Sequence, residues 1–76
     1  MNRADEEILK NKIRSILIEL RTERKMTQTD VGKIVGKSKT AVASWEQGLS
    51  MPDAITLYRL ANYYEKSIDY MYGELQ

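Results

Sequence analysis

The chain has 76 residues, no Cys, no His and a formal net charge of +1. That length suits a single domain (1–76) close to the lower limit at which a core sustains itself without staples, and the missing residue types exclude disulfides, thiolate metal sites and the commonest general base and metal ligand. With no Gly-rich phosphate loop, no pocket-like carboxylate pair, no apolar run long enough to cross a bilayer and an acidic opening (Met1–Glu7), no enzyme activity, metal, cofactor, small-molecule ligand or membrane partner is expected, and a cytoplasmic location is.

Five helices are predicted in chain order, with no strand. The first spans about Ala4 to Arg24, where Leu9, Ile13, Ile16, Leu17 and Leu20 recur as one apolar stripe. Asp5, Glu6 and Glu7 in its first turn and Arg21 and Arg24 in its last suit the helix dipole. Ile18 falls on the opposite face, as a lone exposed residue or part of a contact surface. The second helix, about Gln28 to Val35, turns Val31, Ile34 and Val35 inward. The third, about Lys39 to Gln47, turns Val42 and Trp45 inward. Pro52 and an Asp53 N-cap precede a fourth helix, Ala54 to Glu65, with Ile55, Leu57, Leu60, Ala61 and Tyr64 inward. Ser67 caps a short fifth, Ile68 to Tyr72, ended by Gly73. The pattern describes a compact all-α domain.

The stretch Thr27–Gly48 carries the functional signal. Thr27 is an N-cap with Asp30 as its capping-box partner, Ser38 is a second N-cap, and Gly48 suits the C′ position after the third helix. A tight turn at Gly36 joins the two helices, and the small residues Gly32 and Ala41 sit where a close crossing needs room. Two such helices form a helix-turn-helix, whose second helix can enter the DNA major groove. Charge follows the motif: residues 13–48 carry seven Lys or Arg against four acids, whereas residues 49–76 carry two against four.

The run Leu20-Arg21-Thr22-Glu23-Arg24-Lys25-Met26-Thr27-Gln28 resembles the opening of the lambda-repressor-like, Cro/Xre type helix-turn-helix family. Ser38, Val42, Trp45-Glu46 and Gly48 are similar to its recognition helix. Pro52, Leu57, Leu60-Ala61, Tyr64, Ser67-Ile68-Asp69-Tyr70-Met71 and Gly73 are similar to its closing segment. Two positions depart from the family pattern. Lys37 stands where an apolar residue is usual, adding charge beside the DNA face. Gly32 stands where Ala is usual, and is either a closer crossing point or a weak spot worth about 1 kcal/mol.

The resemblance implies that Lys39, Thr40 and Ser44 read bases and that Gln28 contacts the DNA backbone. By chemistry, Lys39 suits guanine O6 or N7, or else a phosphate. Thr40 and Ser44 both donate and accept, and the methyls of Thr40 and Ala43 suit thymine. Thr29, Lys37, Gln47 and the N–H groups near Gly48 complete the expected backbone contacts. Glu46 is expected, by resemblance, to pair with Arg21 as a structural ion pair, and Trp45 to be core. Tyr64 and Tyr70 are expected in the core; Tyr58, Tyr63 and Tyr72 are expected outside. With Met71 and Leu75 these make the C-terminal helix a candidate homodimer contact. The expected function is a small Cro-like or phage-type repressor acting on a two-fold operator in double-stranded DNA. The alternative is a protein-interaction module, such as an antirepressor or antitoxin, on the same fold.

Overall fold

Each helix of the computed structural model, which describes residues 2–73, begins on a side chain that accepts from the backbone three residues on. Helix α1 (Arg3–Glu23) starts on Asn2, α2 (Gln28–Val35) on Thr27 and α3 (Lys39–Glu46) on Ser38. Helix α4 (Ala54–Tyr64) starts on Asp53 and α5 (Ile68–Met71) on Ser67. At Thr27 the cap is reciprocal. The Asp30 N–H donates to Thr27 Oγ1 at 3.0 Å, and Asp30 Oδ2 accepts from the Thr27 N–H at 2.9 Å. These bonds satisfy first-turn amides that a helix cannot pair internally. Asn2 is the one cap that the sequence pattern did not single out.

The helix ends are equally uniform. A left-handed residue follows each helix: Lys25, Gly36, Gly48, Glu65 and Gly73. After the first four, the next N–H reaches back five residues, from Met26 to Arg21, Lys37 to Gly32, Leu49 to Ser44 and Lys66 to Ala61, at 2.8–3.1 Å. This Schellman arrangement closes the terminal carbonyls and turns the chain sharply. Every boundary lies within a residue of the expected one.

One apolar cluster holds the helices together. Helix α1 contributes Ile13, Ile16, Leu17 and Leu20, with Leu9 packed at its edge. Val31, Val35, Val42 and Trp45 come from α2 and α3, and Leu57, Leu60, Ala61, Tyr64 and Met71 from α4 and α5. Ile18 is half-buried.

Several expected positions differ. Ile55 is 68% exposed, and Thr56 is buried in its place. The α4 stripe is Leu57, Leu60, Ala61 and Tyr64, spaced i, i+3, i+4, i+7, and Ile55 lies two residues before it on the far side. Ile34 is 36% exposed. The buried face of α2 runs through Val31, Gly32 and Val35, which rotates Ile34 toward solvent. Tyr72 packs against the core rather than standing outside it, and Tyr70 is only partly covered. Met71 is 0% exposed, so it is a core residue and no part of a subunit contact. Leu75 lies outside the described residues.

Gly32 makes room for the turn between α2 and α3. A Cβ there would lie 2.4 Å from the Lys37 carbonyl oxygen and 3.4 Å from the Ser38 carbonyl carbon, both backbone atoms. The turn leading into α3 therefore crosses α2 at a distance only glycine permits. The close approach at Gly32 is that of the Lys37–Ser38 turn backbone, which precedes α3, rather than of α3 itself.

Candidate nucleic-acid interface

Three helices meet at one carboxylate. Arg21 of α1 grips Glu46 of α3 through both sides of its guanidinium, Nε to Oε2 at 2.7 Å and Nη2 to Oε1 at 2.9 Å. Arg21 Nη1 donates to the Met26 carbonyl at 2.9 Å, and the Gln28 amide of α2 donates to Glu46 Oε1 at 3.0 Å. Glu46 is buried, and its hydrogen bond raises the Arg21 pKa above the usual arginine value. A buried carboxylate needs this many donors to offset its lost hydration. The network fixes α3 against α1 and α2, and Trp45 anchors the neighbouring position at 6% exposed.

With Val42, Trp45 and Glu46 turned inward, the opposite arc of α3 carries Thr40, Ala43 and Ser44. Lys39, Thr40 and Gln47 are exposed; Ala43 and Ser44 are half-buried. Short polar side chains on an outward arc leave room for the helix to approach another surface closely. Thr40, Ala43 and Ser44 thus share the outward arc of α3, while Lys39, seven residues before Glu46, is exposed in the first turn at the flank of that arc.

The expected backbone contacts have mixed placements. Thr29 is exposed. Among the described residues no acceptor meets the N–H groups of Gln28 and Thr29, so the first turn of α2 presents two free amides. The side chain of Gln28 is half-occupied by Glu46, which leaves its second amide hydrogen and its oxygen. Lys37 lies 3.7 Å from Asp53 across an exposed pair, so part of its charge is offset. Gly48 adopts φ 78°, where glycine carries no steric penalty, and its N–H is used by the Trp45 carbonyl at 3.2 Å.

Two neighbours of α3 escaped the sequence reading. Ser50 places its Oγ 2.8 Å from that of Ser44. The Arg14 side chain lies 3.4 Å from where a Gly48 Cβ would sit, bringing a cation from α1 to the C-terminal end of α3, which carries no basic residue in its own last turn. Neither follows a helical period shared with α3, so only the packing brings them there.

Other features lie elsewhere. A shallow groove of about 460 Å³ lies along α1, lined by Asn11, Lys12, Ser15, Ile16, Glu19 and Gly73, none of them from α2 or α3. Among the described residues no cluster of carboxylates has a metal-holding arrangement, and no helix is long and apolar enough to cross a membrane.

The family model described as helix-turn-helix matches residues 17–71. The chain belongs to this family, in its lambda-repressor-like, Cro/Xre branch. Among solved structures it is similar to the P22 c2 repressor protein, crystallised in complex with synthetic operator 9T in the presence of Tl+. The two share 27% identity with a TM-score of 0.77, over 83% of this chain and 96% of that one. A search of curated protein sequences finds no match.

Proposed function

We propose that this chain is a sequence-specific regulator of transcription that binds double-stranded DNA through α3, acting in the cytoplasm as a small repressor. The observation that carries the reading is the outward arc of Thr40, Ala43 and Ser44, flanked by exposed Lys39, on a helix clamped by the Arg21–Glu46–Gln28 network. The likeness to a repressor solved on its operator supports it. Lys39, Thr40, Ala43 and Ser44 then face base edges. The free amides of Gln28 and Thr29, with the Lys37 and Gln47 side chains, face phosphates, whereas the N–H groups of Gln47, Gly48 and Leu49 are spent on carbonyls of α3.

A homodimer on a two-fold operator fits the dimensions. The protein measures 33 × 27 × 21 Å. Its longest dimension is close to the ~34 Å between successive major grooves on one face of DNA, so two copies set end to end along it would span that interval. Ile55 and Tyr58, exposed one turn apart on α4, and Ile68 at the head of α5 supply apolar surface for that contact.

Fluorescence anisotropy on duplexes selected from a random pool tests the reading. Binding is expected to weaken with salt, log K falling by about 0.9 per log unit for each phosphate neutralised. Salt-independent or absent duplex binding rejects it. The same exposed apolar residues, Leu49 and Met51 included, favour the second reading, a protein-interaction module of antirepressor or antitoxin type. In that case Lys39→Glu with Ser44→Glu leaves partner binding intact.

A further inference from the structure

Ser44 does not stand alone on the outer arc of α3. Its Oγ lies 2.8 Å from Ser50 Oγ in the following loop, and its carbonyl accepts from the Leu49 N–H at 3.0 Å. The loop therefore holds Ser44 by side chain and by backbone. Ser44 is half-buried and Ser50 is exposed.

Each hydroxyl has one hydrogen and two lone pairs, and either oxygen can be the donor in the shared bond. The direction of that bond decides what Ser44 offers outward. If Ser50 donates, Ser44 keeps its own hydrogen and acts as a donor. If Ser44 donates, it has only lone pairs left and acts as an acceptor.

The inference rests on the DNA-binding reading above. Ser50 is exposed on the loop after α3, and with α3 in a major groove and Ser44 toward the bases we infer that its hydroxyl meets a phosphate of the groove wall. Phosphate oxygens accept hydrogen bonds and donate none. A Ser50 hydroxyl bonded to phosphate has its only hydrogen engaged, so the Ser44 hydrogen must point to Ser50. Ser44 then meets the bases as an acceptor. In the major groove the hydrogen-bond donors are the amino groups of adenine N6 and cytosine N4, whereas guanine and thymine present acceptors. We propose that Ser50 is a specificity-determining residue: it sets the direction of the Ser44–Ser50 hydrogen bond and restricts Ser44 to adenine or cytosine.

The test compares the full chain with Ser50→Ala, Ser50→Thr and Ser44→Ala, each checked for its thermal melt, by selection from a randomised duplex pool. The wild-type protein is expected to select adenine or cytosine at one position per half-site. Ser50→Ala frees the Ser44 hydrogen, so guanine and thymine become accepted there and the preference falls about threefold to tenfold, with other positions unchanged. Ser50→Thr keeps a hydroxyl and keeps the preference. Ser44→Ala abolishes the preference and makes a further Ser50→Ala silent. The inference is overturned if Ser50→Ala selects the wild-type site, if it weakens all sequences equally as a mere loop staple would, or if the two alanine effects add. Failure of the wild-type protein to bind any duplex overturns the DNA-binding reading itself, a different outcome.

Discussion

Glu46 accepts from two side chains, and truncating it strands both of them. In Glu46→Ala the Arg21 guanidinium and the Gln28 amide lose their shared acceptor at a buried junction. Breaking a fully buried pair costs 3–5 kcal/mol, and the 18% exposure of the Arg21 side chain places this one near the lower end, about 3 kcal/mol. Chemical denaturation measures it. With Glu46 in place, Arg21→Lys is also expected to destabilise, because an ammonium cannot span both carboxylate oxygens and the Met26 carbonyl as the planar fork does. Gly32→Ala is expected to destabilise in spite of the better helix propensity of alanine. The gain of about 1 kcal/mol in propensity is outweighed by a Cβ only 2.4 Å from the Lys37 carbonyl oxygen, for a net loss of about 1–2 kcal/mol in the same assay.

At the scale of the helix, the caps make stability depend on pH. Asp30 is held below the ordinary aspartate pKa, first by the backbone N–H of Thr27, and Asp53 likewise by the backbone N–H of Thr56. A carboxyl whose pKa is depressed in the folded state binds fewer protons there than in the unfolded chain. Its contribution is therefore complete above about pH 3.9 and lost as pH falls through the folded-state values. Thermal melts followed by circular dichroism between pH 6 and pH 2 are expected to show this decline. Asp53→Asn, which still caps but does not titrate, is expected to flatten part of it. The opposite end of α4 carries a different signature. Glu65 sits at φ 60°, a left-handed conformation unfavourable for a residue with a Cβ. Glu65→Gly relieves that strain at some cost in unfolded-state entropy, so a gain of about 0.5–1 kcal/mol is expected by denaturation.

For the whole molecule, association is the property to test. Ile55 and Tyr58 are exposed and are not members of the apolar cluster, so replacing them should spare the fold. Ile55→Glu with Tyr58→Glu is expected to leave the melting temperature within a few degrees of wild type. It is expected to shift sedimentation toward a monomer and to weaken binding to a two-half-site duplex more than to a single half-site. A double variant that remains dimeric places the subunit contact elsewhere. The apolar surface expected of the C-terminal helix is reduced because Met71 is spent on the core.

Local signals determined the helices. Hydroxyl or carboxylate caps, glycine stops and 3.6-residue stripes act within a few residues of chain, so α1 to α5, the turn at Gly36 and the outward side of α3 were legible from the amino acids alone. The pairing of Arg21 with Glu46 was also expected, from a family resemblance rather than from spacing. Tertiary structure decided what depends on how one helix meets another. Packing chose the face that α2 presents, because the missing Cβ at Gly32 lets the Lys37–Ser38 backbone approach. It put Gln28 on Glu46, Arg14 beside Gly48 and Ser50 on Ser44, contacts that join different elements and so are not written in the periodicity of any one helix. A periodic pattern reports which side of a helix is apolar; the residues lying across from it are fixed only when the helices close together.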